Sequence, residues 1–185
     1  MENIEINFKF FTDLYVYQSE QRVNFVYQGT DFVFVCLNVK NNGVYYVKNI
    51  LFNKDKEIST ELAFCNRIEH YWTIYLIDGM EMQLETNGYI LFNLYYAEKS
   101  TYVPYIKLGI GYITFIKNNN EEFTYKFSDI KKIYRKGNDL HIQHLNYQKT
   151  LMFFKSGNED VIPMLYICNR MFFYKAIELL LGYKL

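Results

Sequence analysis

The chain has 185 residues, half of them apolar by type, with 19% aromatic side chains, nineteen tyrosines, two prolines and nine glycines. That composition excludes disordered, collagen-like and low-complexity classes, because so much apolar surface does not stay in water. Its formal net charge of zero disfavours non-specific nucleic-acid binding, whose affinity comes from cations that displace counterions.

The neutral sum hides an asymmetry. Residues 1–100 carry eight basic and thirteen acidic side chains, and residues 101–185 carry twelve and seven. Two segments that attract each other account for this, and so does a basic surface that meets an anionic partner. The start Met1-Glu2-Asn3-Ile4-Glu5 is acidic where a secretory signal is basic. No stretch reaches the roughly 20 apolar residues of a membrane span. Cys36, Cys65 and Cys168 lack the close spacing of a zinc or redox motif and sit among apolar neighbours. Buried free thiols fit a reducing compartment, so the expected location is cytoplasmic.

Period-two alternation dominates the first half. Ile4, Ile6, Phe8 and Phe10 alternate with polar residues, and Val23, Phe25 and Tyr27 alternate with Arg22, Asn24 and the less polar Val26. Residues 32–39 form a nearly continuous apolar run and read as a strand covered on both faces. Asn41-Asn42-Gly43 then turns the chain into a strand at 44–52. Ile58, Leu62, Cys65, Ile68 and Trp72 are spaced for one helix face over 57–70. The segments 71–77, 80–86 and 89–96, separated by Asp78-Gly79 and Asn87-Gly88, read as an antiparallel meander.

The second half continues with strands at about 105–116, 121–127, 130–136, 139–145 and 149–155. Asn118-Asn119-Asn120 and Gly137-Asn138-Asp139 mark turns. A C-terminal helix follows, either capped by Asp160 with Pro163 in its first turn, or starting at Asn169 after an extended 161–167. It stops near Gly182. The expected fold class is mainly β (α+β): antiparallel strands form a bent sheet or barrel closed by a C-terminal helix and preceded by a β-rich N-terminal half. The expected division is 1–100 and 101–185, with the 71–96 meander assignable to either unit. A boundary near 54–57 is the alternative.

The run Phe123-Thr124-Tyr125-Lys126-Phe127-Ser128-Asp129-Ile130-Lys131-Lys132-Ile133 leads through Asp139-Leu140-His141-Ile142 to Leu151-Met152-Phe153-Phe154-Lys155. This pattern resembles the small pleckstrin-homology-like domains of bacteria. The resemblance covers about 80 residues, or about 110 with the meander. It implies a bent sheet plugged at one end by a helix, here 163–181. It also implies binding to a phosphoinositide headgroup, a peptide or another protein, without catalysis. Lipid-binding members carry cations around the first hairpin loop. On this register the loop is Lys117-Asn118-Asn119-Asn120-Glu121-Glu122, with one cation and two anions, so phosphoinositide binding is not carried over.

No catalytic, cofactor or metal site is expected. His141 and His144 are three apart on a strand and so face opposite ways. Cys65 and His70 lack a third orienting group. Gly109-Ile110-Gly111 lacks the third glycine and following helix of a dinucleotide site. These glycines read as kinks in a bent sheet. Glu81 and Glu85 read as a solvated strand face. Lys126, Lys131, Lys132, Arg135 and Lys136, interleaved with tyrosines, make either a stripe for an anionic partner or a cationic guard on an edge strand.

The tyrosine excess points to an interface, with Tyr45, Tyr71, Tyr75, Tyr89 and Tyr95 as candidates. The expected function is a non-enzymatic interaction module that binds protein, or a second copy of itself, through a tyrosine-rich β surface. An inhibitor or immunity-type protein using the acidic first half is one alternative. A nuclease-like enzyme using the basic stripe and His141 is another.

Overall fold

Burial alternates along the strand Tyr89–Asn93, whereas Tyr112–Ile116 and Asp139–His144 are buried over three or more consecutive residues. The computed structural model describes residues 8–24, 26–37, 44–52, 60–95, 105–116, 119–146 and 159–185. The chain forms two compact units. One comprises Met1–Asp78 with Cys168–Phe172, and the other comprises Gly79–Ile167 with Phe173–Leu185.

In the first unit, β1 (Asp13–Val23), β2 (Val26–Leu37) and β3 (Val44–Phe52) form an antiparallel sheet in that order. Leu14 pairs with Cys36, and Val16 with Phe34. All four are buried, together with Phe32, in one core with Leu62, Cys65 and Trp72 of the helix α1 (Thr60–Asp78). Tyr15 and Val35 pair on the opposite face and are also buried, as expected for a strand covered on both sides. Residues 8–10 form a 3-10 turn instead of continuing an N-terminal strand. Phe8 and Phe11 there lie against Trp72, with ring centres 5.5 and 6.4 Å away.

Asn169 holds this unit together. Its Oδ1 accepts the Leu14 N–H and the Trp72 Nε1–H, each at 2.8 Å. Its Nδ2 donates to Asp13 Oδ1 at 2.8 Å, and its backbone N–H donates to the Leu14 carbonyl at 2.6 Å. The residue adopts φ +55, a left-handed conformation that asparagine tolerates better than most side chains.

The meander expected over 71–96 is not formed. α1 continues to Asp78, α2 (Met80–Asn87) follows, and only β4 (Tyr89–Asn93) is extended. Met, Glu, Gln and Leu favour helix, and the alternation of Met80, Met82 and Leu84 with Glu81, Gln83 and Glu85 buries nothing in α2. Gly88 supplies the positive φ expected of it, +77, but uses it to end α2, donating its N–H to the Leu84 carbonyl.

In the second unit, β4, β5 (Tyr105–Gly109), β6 (Tyr112–Ile116) and β7 (Glu122–Lys126) form a four-stranded antiparallel sheet in chain order. The single strand expected over 105–116 is thus a hairpin, turned at Ile110-Gly111 with φ +81 at Gly111. Next, β8 (Ile130–Lys136), β9 (Asp139–His144) and β10 (Glu159–Pro163) form a three-stranded sheet, and α3 (Arg170–Leu181) follows. The helix start at Asn169 is therefore the correct alternative, because Asp160 and Pro163 belong to β10. The fold is mainly antiparallel β with a C-terminal helix, and among the described residues no sheet closes into a barrel.

The second unit's core is the inner face of these sheets with α3. Ile90, Phe92, Ile106, Leu108, Ile113, Phe115, Ile133, Leu140 and Ile142 are buried with Phe173, Ala176 and Ile177. The Phe92 and Phe173 rings meet edge-on at 5.0 Å. The turn at 41–43, the boundaries at 54–57 and 97–104, and the strand at 149–155 lie outside the described residues.

Asn169→Ala strands the buried Trp72 and Leu14 N–H groups. A loss of about 3 kcal/mol is expected in urea unfolding, with the fluorescence of Trp72 reporting the transition.

Candidate functional site

The inner face of the four-stranded sheet is apolar, so pleating sends a second set of side chains outward. Pairing arranges them in rows. Tyr89, Gly109, Tyr112 and Lys126 make one row, Leu91, Lys107, Thr114 and Thr124 the next, and Asn93, Tyr105, Ile116 and Glu122 the third. Tyr89, Lys107, Gly111, Tyr112, Thr114, Glu122, Thr124, Lys126 and Ser128 line a groove of about 690 Å³ on this face.

Gly109 is required here. A β-carbon at this position would lie 2.2 Å from the Tyr112 ring, so the glycine lets that ring lie across the neighbouring strand. The Tyr112 hydroxyl then donates to the Gly88 carbonyl at 3.2 Å. Lys107 Nζ sits 2.8 Å from Glu122 Oε1 and 5.4 Å from the centre of the Tyr89 ring. The Glu122 hydrogen bond holds the Lys107 ammonium above its usual pKa. The Thr114 and Thr124 hydroxyls share a 2.8 Å bond, which satisfies the buried Thr114. Leu91 and Tyr105 are each 44% exposed beside the groove.

The five cations named from sequence do not form one stripe. Lys126 lines the groove. Lys131, Lys132, Arg135 and Lys136 are exposed on β8, where a register irregularity between Ile130 and Lys132 interrupts the alternation. Lys132 lies over the Tyr134 ring, 5.2 Å from its centre, and Arg135 lies over the Tyr174 ring at 4.1 Å. The five tyrosines are also dispersed. Tyr45 is on β3 opposite Cys36. Tyr71 and Tyr75 are exposed on α1, not on a sheet. Tyr89 is half-buried in the groove, and Tyr95 is half-buried just beyond β4.

The two histidines of β9 face opposite ways, and each has an acidic neighbour. His141 Nδ1 lies 3.1 Å from Glu159 Oε1, and both side chains are buried. Tyr134 donates its hydroxyl to the same oxygen at 2.5 Å and stacks on the His141 ring, while Gln143 Nε2 donates at 3.4 Å. The Tyr134 hydrogen bond, helped by those of His141 and Gln143, holds the Glu159 carboxyl below its usual value against the opposing effect of burial. On the other face, His144 Nε2 lies 2.9 Å from Asp160 Oδ2 beside a depression of about 440 Å³. Burial, then the hydrogen bond with Asp160, raises the Tyr125 hydroxyl pKa there.

Cys36, Cys65 and Cys168 are buried and form no disulfide. Burial, with a smaller effect from Cys65, pushes the Cys36 thiol up to about 12, so it is protonated at neutral pH. His70 is exposed, on a different side of α1 from Cys65. Glu81 and Glu85 are exposed one turn apart on α2. Among the described residues no group of three or more His, Cys, Asp or Glu could hold a metal ion, and no helix is long and apolar enough to cross a membrane.

Sequence reasoning missed Lys107, Tyr112, Thr114 and Thr124 as groove residues. The available signal was Gly109, whose missing side chain marks a close approach. It also missed Glu159, eighteen residues from His141. Comparison with protein-family models, curated proteins and solved structures finds no match to this chain.

Because the folded-state pKa of Glu159 is depressed, the stability it confers is full above 4.5 and is lost as pH falls through its folded value. Glu159→Gln is expected to cost about 2 kcal/mol near neutral pH. Urea melts across an acid pH series should show the gap to the native chain closing below pH 4.5.

Proposed function

We propose that the chain is a non-enzymatic interaction module. In this reading its second unit is pleckstrin-homology-like, and it binds a protein partner through the outer face of the β4–β7 sheet. The carrying observation is that face. It offers a groove of about 690 Å³ with tyrosine walls, flanked by the exposed Leu91 and Tyr105. Tyrosine and leucine on a rigid sheet bury area at small entropic cost, and one ion pair with neighbouring hydroxyls supplies orientation.

The family reading is supported by chain order: four antiparallel strands, then three, then a terminal helix. On this order the first strand is β4, and the first hairpin connection falls at 94–104 instead of 117–122. Residues 96–104 carry one lysine and one glutamate, which does not favour an anionic lipid headgroup. Three buried cysteines, none of them in a disulfide, support a reducing, cytoplasmic setting.

The test is affinity capture from the native host by the intact chain and by the double variant Leu91→Arg, Tyr105→Arg. A partner retained by the native chain should be weakened by roughly thirtyfold in the variant, with unchanged circular dichroism. Equal retention by both excludes this face as the binding surface.

A further inference from the structure

The edges of the second unit's sheets are finished differently. Beyond β4, Leu94 bridges to Ile167, and the Tyr95 N–H donates to the Tyr166 carbonyl. On β8 the Ile133 N–H donates to the Tyr183 hydroxyl at 3.0 Å. Four cations crowd β8, so a second β8 alongside it is repelled. β10 ends in Pro163, which has no N–H to offer. β7 is the outer strand of its sheet, and among the described residues no strand pairs beyond it.

One hydrogen bond fixes which β7 groups face outward. Phe127 N–H donates to the Gly111 carbonyl at 2.8 Å, one step beyond the Tyr112–Lys126 pair of the β6–β7 register. Antiparallel strands alternate between hydrogen-bonded and non-hydrogen-bonded pairs. Tyr125 and Phe123 therefore bond to β6, and the backbone groups of Glu122, Thr124 and Lys126 point away from it.

The strand sequence Glu122-Phe123-Thr124-Tyr125-Lys126 is complementary to itself when reversed. We propose that β7 is a self-association edge, at which two copies of this chain pair β7 antiparallel about Thr124 and join their sheets. Glu122 then opposes Lys126 of the second copy, Phe123 opposes Tyr125, and Thr124 opposes itself. The outward-pointing residues are the ones that meet as bonded pairs, so each exchanges both of its backbone hydrogen bonds.

Side-chain placement agrees with this pairing. Glu122, Thr124 and Lys126 are exposed. Lys126 has no ion-pair partner among the described residues. Glu122 holds Lys107 through Oε1, and its other oxygen is the acceptor for Lys126 of the second copy. Phe123 lies on the apolar inner face yet is 37% exposed, and Tyr125 of the second copy extends that layer over it. Self-pairing uses the β7 edge of the sheet whose outer face is the partner surface above, and Glu122, Thr124 and Lys126 also line that groove. The positions varied in the partner test, Leu91 and Tyr105, lie on β4 and β5.

Sedimentation velocity on the full chain across a concentration series is expected to show reversible monomer–dimer exchange. Lys126→Glu and Glu122→Lys each place like charges across both symmetry-related pairs and should weaken association by about tenfold or more. Mixing the two single variants sets opposite charges across both pairs and should restore it. Circular dichroism should stay native throughout, since both positions are exposed. A chain that is monomeric over the whole series, a dimer indifferent to either substitution, or a mixture that stays dissociated would overturn the proposal.

Discussion

The second unit depends on one packing constraint: the inner faces of two sheets are covered by a single apolar helix. α3 reaches the four-stranded sheet through Phe173 against Phe92, and the three-stranded sheet through Tyr174 beneath Arg135. Just past its end, Tyr183 accepts the Ile133 N–H of β8. With the inner positions so committed, strict alternation leaves no choice about what faces outward. Tyr89, Lys107, Tyr112, Thr114, Thr124 and Lys126 share a surface because Ile90, Leu108, Ile113 and Phe115 had to share a core.

The same constraint explains which parts of the fold were legible in the sequence. Strands that alternate apolar with polar residues write their period into the chain, so β7 and β9 can be read within a residue or two. α2 buries nothing, so its apparent alternation of Met and Glu carried no packing information, and intrinsic helix preference decided its state. The helix expected over 57–70 is seen from Thr60 onward, but its continuation to Asp78 was missed for the opposite reason. Leu62, Cys65 and Trp72 face the core while Phe64, Tyr71, Ile74 and Tyr75 are exposed, so apolar residues lie all round the helix and its period fades. Gly88 and Gly111 both adopt positive φ, yet one ends a helix and the other turns a hairpin. The local signal marks a break in the chain and leaves open what the break joins.

The candidate site was less legible than the fold because it is assembled across strands. Lys107 and Glu122 are fifteen residues apart, Thr114 and Thr124 ten, and His141 and Glu159 eighteen. None of these spacings is a motif, and each follows only from register. The cationic run on β8 shows the converse. Its residues are neighbours in sequence, but pleating and the irregularity after Ile130 divide them. A local cluster of charge on a strand is thus weak evidence for a binding stripe, while dispersed residues in one register can make a surface.

This bears on the charge asymmetry between the halves. An excess of cations favours an anionic partner only where the cations converge in space. Here they are used locally: Lys107 on Glu122 and the Tyr89 ring, Lys132 on Tyr134, Arg135 on Tyr174, and Lys175 on Glu178 at 2.7 Å. A cation held over an aromatic ring keeps its charge but also covers apolar surface with its stem. On an edge strand it further discourages a second strand from docking. The positive second half therefore acts as a set of separate local devices, with β8 guarded by its cations and β7, where one lysine stands two turns of the pleat from one glutamate, left able to pair.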